Sequence, residues 1–360
     1  MAKAFSNNLQ SKIDQLKTLR KATQLGSIQF ASPLILAPMA SICNAPFRLL
    51  MEDLGAGGTV SELISCHGIN YNNHKTLEML YVHPNEKNVG IQLFGEDGKA
   101  MGEAAKVAEQ RGIKFIDINM GCPVRKVVTK GGGSALLRDV PSLAPFFRNV
   151  KSAIKLPLTI KIRMGWDSDE INADKIIQLA KNEGIEFVAI HGRTRAQQYT
   201  GLANWDYIES LASHSPLPLI GNGDLHQAHQ VQERLKITKC PSLMIGRGAL
   251  RNPFIFLEGL IEEPTRKSQF DGPDYWEVIE RLADYTYAAF EHERTRIVQL
   301  RKLIMWFAAG FPGAAKFRTI LFKIQSLDEL MLETHKYFSE LKAQEKFINY
   351  DEVFMSSGHG

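Results

Sequence analysis

Cysteine is scarce: four residues in 360, at positions 43, 66, 122 and 240, with no CxxC pair and no zinc-like spacing. In a chain this long, four cysteines do not make a disulfide framework, so no metal site is expected and a reducing compartment, the cytoplasm, is read. No run of about 18 apolar residues exists, so no membrane span is expected. The 28 glycines and 15 prolines are scattered, which excludes a collagen-like or linker composition. Charge of one sign is also scarce. With 43 basic and 39 acidic residues the net charge is +4, so only local clustering can indicate a polyanionic partner. The first 25 residues carry Lys3, Lys12, Asp14, Lys17, Arg20 and Lys21 but no apolar core. They read as part of a polar, partly helical extension over 1–28 rather than a secretory signal.

What the chain does have is core-forming material: 44% hydrophobic and 23% charged residues, which excludes a disordered chain. From residue 33 onward short runs rich in Val, Ile and Leu recur at 33–40, 58–62, 88–95, 115–121, 156–165, 187–193, 217–224 and 242–248. Each is closed by Gly, Pro, Asn or Asp and reads as a strand. Helix-like stretches lie between most of them, among them 96–112 and 172–184, the second with an asparagine at its cap and both ending in glycine. Eight such units over residues 29–262 predict an α/β fold, a (β/α)8 TIM barrel. A Rossmann-like open sheet is the alternative, but no GxGxxG follows the first run.

Beyond Pro264 the pattern changes. Residues 263–272 read as a polar linker, 273–350 as a helical bundle without strand signals, and 351–360 as a frayed tail. From Arg294 to Lys323 there are seven basic residues and no acidic one. From Gly121 to Arg138 there are four, Arg125 and Lys126 among them, again with no acid. Clusters of this kind, including Arg294, Arg296, Arg301 and Lys302, fit a phosphate-backbone track, against the simpler reading of a solvated basic face. The aromatics Trp306, Phe307, Phe311, Phe317 and Phe322 recur at helical spacing and read as core.

Barrel enzymes build their sites at the C-terminal ends of the strands, and here those ends are polar. They carry Gln92, Asn119, Lys161, Arg163, His191, Asn222-Gly223-Asp224 and Gly246-Arg247. The glycines of the last two runs let backbone N–H groups approach an anion, which fits a phosphate-bearing cofactor. Lys161 and Arg163 share strand parity and so face the same side. Lys161 can offset charge on a reduced cofactor ring or on a substrate oxygen. Cys122 lies in a Gly/Pro-bounded turn, which presents its thiol as either a nucleophile or a proton donor. Basic neighbours favour a thiolate if they are close enough. Cys43, Cys66 and Cys240 lack such a setting and read as structural.

PMASICNAPFR, DINMGCPVRKVVTKGGGSALLRD, LTIKIRMGW, IHGRTRAQQYTG, IGNGDL and MIGRGALRNP together resemble the tRNA-dihydrouridine synthases, over roughly residues 33–256 and in strand order. GRTRAQQYTG and NMGCPVRKV look like one bacterial branch, RMGWDSDE and MIGRGAL like another; the B-type branch is taken. The resemblance implies an FMN-containing TIM barrel followed by a helical RNA-binding domain. It implies reduction of the C5–C6 bond of tRNA uridines, with NADPH regenerating the reduced flavin. Pro38, Met39 and Ala40 would then line the flavin. Gln92, Lys161, His191, Asn222, Gly223, Asp224, Gly246 and Arg247 would hold its ring and phosphate. Cys122 would donate the proton, and Asn119 and Arg163 would sit by the flavin and the target base. A monomer is expected. Two other readings compete: an FMN barrel acting on a free pyrimidine or another small enone-like substrate, and a tRNA-binding protein without catalysis.

Overall fold

The computed structural model describes residues 2–262, 268–342 and 346. A two-stranded antiparallel hairpin, β1 (Thr23–Leu25) and β2 (Ile28–Phe30), precedes the barrel. Eight parallel strands then close on themselves: β3 (Leu34–Leu36), β4 (Gly58–Ser65), β5 (Val89–Phe94), β6 (Phe115–Met120), β7 (Leu158–Arg163), β8 (Val188–His191), β9 (Leu219–Asn222) and β10 (Ser242–Ile245). β10 pairs with both β9 and β3, which completes the cylinder. The eight-stranded TIM barrel expected from the apolar runs is therefore observed, and the open-sheet alternative is not.

Strand periodicity explains both surfaces of the wall. Ile116, Ile118 and Met120 of β6 pack outward into the core under the helices, while Phe115, Asp117 and Asn119 point inward. Inside, the N-terminal end of the cylinder is apolar. The rings of Phe30, Phe115 and Phe187 meet edge-on at 5.6–6.1 Å, joined by Ile35, Val60 and Met244. Burying each ring contributes about 2–3 kcal/mol. Gly90 admits the Phe115 ring, because a Cβ there would lie 2.2 Å from it.

The N-terminal extension is partly helical as expected, but the burial of that helix and a hairpin after it depart from a polar segment. The helix Asn7–Lys17, capped by the Ser6 side chain, buries Leu9 and Ile13 completely. It is tied to the helix Gly272–Ala289 by Lys12–Asp274 at 2.7 Å, while Ser6 just before it donates to Glu277 at 2.7 Å. The boundary drawn at residue 28 falls inside the hairpin, whose signal is an alternation either side of Gly26-Ser27, with Gly26 at φ +56°.

Between the strands, the stretch 96–112 forms the helix Gly98–Glu109 and 172–184 the helix Ala173–Asn182. Asn172 stands at the cap position of the latter, but its amide donates to the Leu137 carbonyl instead of capping. After the barrel, the described residues form four helices, Gly272–Ala289, Glu293–Ala308, Ala314–Leu321 and Leu327–Phe338. The last of these is started by the Ser326 side chain, which accepts from the Glu329 N–H at its cap. Phe307, Phe311 and Phe317 are buried as expected of core residues, but Phe322 is 58% exposed, with the Arg301 guanidinium 5.6 Å over its ring. Half of the expected linker (263–267) and the tail (351–360) lie outside the described residues, as do 343–345 and 347–350. Among the described residues no helix is long and apolar enough to cross a membrane.

Candidate active site at the barrel mouth

The polar strand ends converge. Pro38, Met39, Ala40, Gln92, Asn119, Cys122, Lys161, Arg163, His191, Asn222, Gly223, Asp224, Gly246 and Arg247 line one pocket at the C-terminal mouth of the barrel. Cys122 therefore lies in the same pocket as the glycine-rich ends of β9 and β10. Sequence reading missed Tyr199, Leu63 and His226 of the lining. Tyr199 carries two guanidinium groups near its ring, Arg163 at 5.5 Å and Arg247 at 5.1 Å.

The Cys122 turn is pinned from three directions. Asn119 Oδ1 accepts from the N–H groups of Cys122 (2.9 Å) and Gly121 (3.3 Å). Arg163 Nε donates to the Gly121 carbonyl at 2.7 Å, and Ser134 donates to the Cys122 carbonyl through its hydroxyl at 2.9 Å. Arg163 also donates to the carbonyls of Thr194 and Gln198 and is almost wholly buried. Its bonds clamp the turn to the loop after β8. Burial pushes the Cys122 thiol up, against smaller opposing effects from the Val124 N–H, Arg163 and Lys161. Arg125 and Lys126 are exposed on the short helix Arg125–Val128. The resting group is the neutral thiol, which suits a proton donor better than a nucleophile.

Cations dominate the pocket. Lys161 donates to Asn222 Oδ1 at 3.1 Å, and Asn222 in turn donates to the Met244 carbonyl at 2.7 Å. Burial, with Arg163 beside it, lowers Lys161 to about 8. Burial among Arg163, Lys161, Arg193 and Arg247 drives His191 well below its ordinary value, so its imidazole is neutral. Burial likewise takes His226 down to about 4.

Asp224 lines the pocket and is itself held by cations. Arg193 holds it through two bonds of 2.9 and 2.7 Å, the Ala203 N–H adds a third at 2.7 Å, and Arg247 stands 3.5 Å away. Burial is the largest single effect and works against this carboxylate, but the bonds and charge of Arg193, the Ala203 N–H and His226 together outweigh it and leave its pKa below the usual range. The turn needs its glycine: Gly223 has φ +138°, and a Cβ there would lie 2.5 Å from the Ala203 methyl.

The bundle cations lie away from the pocket, on the helix Glu293–Ala308, and divide into two groups. Arg294 is exposed. Arg296 donates to the Phe290 carbonyl and stacks on Tyr287 at 3.9 Å, and Arg301 donates to the Leu321 carbonyl. Lys302 is half-buried and donates to the Ser41 carbonyl. Ser41 itself has φ +60°, and its N–H donates to Glu62. Lys302 thus ties the bundle to the loop that carries Met39 and Ala40, where sequence reading placed it on a substrate-facing track.

The family model described as "Dihydrouridine synthase (Dus)" matches residues 35–345, through the barrel and the described helices of the bundle. The chain belongs to the dihydrouridine synthase family. Among its relatives are a "Probable tRNA-dihydrouridine synthase" of Rickettsia prowazekii, 34% identical over 82% of this chain and 91% of the relative. The "tRNA-dihydrouridine synthase B" of Pseudomonas aeruginosa is 35% identical over 88% of this chain and 96% of the relative. The B-type relatives agree with the branch taken from the motifs. Among solved structures, histamine dehydrogenase from Rhizobium sp. 4-9 superposes with a TM-score of 0.54 at 10% identity, over 74% of this chain and 51% of that one. That likeness shows a shared fold alone. In this family member the cationic pocket, the presented thiol and the glycine turns occupy one mouth of the cylinder.

Proposed function

We propose that the protein is an oxidoreductase that reduces uridines of tRNA to dihydrouridine, using FMN with NADPH as reductant, in the cytoplasm and as a monomer. The observation that carries this reading is the neutral Cys122 thiol, held in the same pocket as Lys161, Asn222, Gly246 and Arg247. The residues present fit a flavin mononucleotide. Gly223 and Gly246 leave the pocket wall without side chains where a phosphate would approach, and Arg247 lies beside them. Lys161, Arg163, Arg193 and Arg247 outnumber the two carboxylates of Asp117 and Asp224, which suits a dianionic ligand.

Bound flavin supplies the hydride for C6 of the uracil ring. The chain supplies the rest. Cys122 holds the proton destined for C5. Lys161 offsets negative charge in the pocket, and the neutral His191 adds hydrogen-bonding capacity without adding charge. A uridine inside a folded tRNA must leave its stack to reach this depth, so a broad cationic grip is required. Arg125, Lys126, Arg294, Lys316, Arg318 and Lys323 are exposed and available for it. The deciding experiment incubates the purified protein with FMN, NADPH and unmodified tRNA and maps dihydrouridine. A yellow protein whose tRNA binding weakens with salt supports the reading over a free-pyrimidine reductase. Dihydrouridine formation separates it from a passive RNA binder.

Two further outcomes test the assignment. The free protein's Lys161 is an ammonium near neutrality and loses its charge as pH rises through about 8. FMN affinity, followed by flavin fluorescence, should therefore fall several-fold between about pH 7 and about pH 9.5, and Lys161→Met should flatten that dependence. Replacing Arg294, Lys316, Arg318 and Lys323 by glutamine should reduce the log–log salt slope of tRNA binding by roughly 0.7–0.9 for each phosphate no longer neutralised. Lys302→Met, which acts on the Ser41 loop, should leave that slope unchanged and loosen FMN instead.

A further inference from the structure

Asp117 takes no part in the chemistry above, but it is the buried end of a hydrogen-bonded row that leads to Cys122. Its side chain is on β6 inside the barrel, and the residue is 4% exposed. Thr159 Oγ1 donates to Asp117 Oδ1 at 2.7 Å, and Gln92 Nε2 donates to Oδ2 at 2.7 Å. Gln92 Oε1 accepts from Asn119 Nδ2 at 2.7 Å, and Asn119 Oδ1 accepts from the Cys122 N–H at 2.9 Å.

The two ends of a side-chain amide are alike in shape and opposite in hydrogen-bonding sense, so its neighbours decide which way it faces. A carboxylate only accepts. Asp117 makes Gln92 turn its NH2 inward, and the Gln92 oxygen makes Asn119 do the same. Asn119 is left with its oxygen toward the Cys122 turn. Each amide keeps a second N–H beyond these bonds, and both residues line the pocket.

We propose that Asp117 is a positioning residue that sets the donor sense of Gln92 and Asn119, so that the pocket meets its ligand with N–H groups while the Cys122 turn stays held. The matching ligand is a ring that carries carbonyl acceptors, as the flavin dione and uracil both do. The naming of those rings rests on the function proposed above; the row of bonds does not.

The test uses FMN affinity and, in flavin-free protein, the rate at which iodoacetamide alkylates Cys122. The other three cysteines are buried, so the reaction reads one thiol. Asp117→Asn keeps an acceptor for Gln92 and turns its own NH2 to Thr159, whose hydroxyl can then donate to the Ile116 carbonyl at 3.3 Å. Both readouts should stay within about threefold of wild type. Asp117→Ala frees Gln92 to turn, and FMN should bind about tenfold more weakly while alkylation speeds up about tenfold. Asp117→Leu, closer in volume, repeats the test if the alanine variant does not fold.

Thr159→Val removes a bond on the far side of Asp117 and should lower thermal stability without moving either readout; a merely structural Asp117 would make it resemble the alanine variant. FMN titration alone reads the flavin dione, and KM for tRNA at saturating FMN reads the uracil. Alanine and leucine variants with both readouts within about twofold of wild type would overturn the proposal, as would an asparagine variant as impaired as the alanine one. A wild-type protein that takes up no FMN would sink the flavin reading, while the alkylation rates would still judge Asp117.

Discussion

Alanine in place of Cys122 is expected to lower dihydrouridine formation at least a hundredfold, on the order of what a positioned general acid contributes, while FMN and tRNA affinities change by less than about twofold. The reasoning starts from the turn. Asn119, Arg163 and Ser134 hold its backbone, and none of those bonds involves the sulfur, so truncation leaves the pocket wall in place. Burial raises the thiol's pKa, so near neutral pH it rests protonated and, under the proposed chemistry, has a proton to deliver. Single-turnover reduction of tRNA by prereduced enzyme is the measurement. An alanine variant with the wild-type rate would remove the acid assignment and leave solvent as the proton source.

The second large effect is on the fold of the pocket. Arg193→Met leaves the partly buried Asp224 without its main partner, and breaking such a pair from one side costs up to the roughly 3–5 kcal/mol of a fully buried pair. Asp224 sets the position of Arg247 and the Ala203 N–H, so the loss reaches the pocket as well as the stability. The expected result is a melting temperature lower on the order of 5 °C and FMN binding too weak to survive gel filtration. Asp224→Asn removes the charge but keeps an acceptor, and should do less harm on both counts. Melting curves with and without FMN check the pair. Equal stability of the Arg193 variant and wild type would show that the ion pair contributes nothing net.

The barrel was legible because its strands are covered on both faces, which makes each a short, nearly continuous apolar run closed by a turn residue. Gln92, Lys161 and His191 were legible because they break that rule at the strand ends. Asp117 breaks it too, but its meaning depends on Gln92 and Thr159, 25 and 42 residues away. Arg193 stands in the IHGRTRAQQYTG motif, yet nothing local predicts its bond to Asp224, 31 residues on. Lys302 reads as one more charge on a basic helix, because its partner is 261 residues away. The hairpin was missed for a different reason: its alternation is three residues long on each side, short enough to be hidden by the charges that precede it.

The plug of aromatic rings under the cylinder has a kinetic consequence. With Phe30, Phe115 and Phe187 closing the base, everything that visits the chamber uses the same doorway. Under the proposed chemistry the nicotinamide and the nucleobase need the same face of the same ring, so they must take turns. Rate patterns would then be parallel lines in double-reciprocal plots, and an excess of either visitor would block the other.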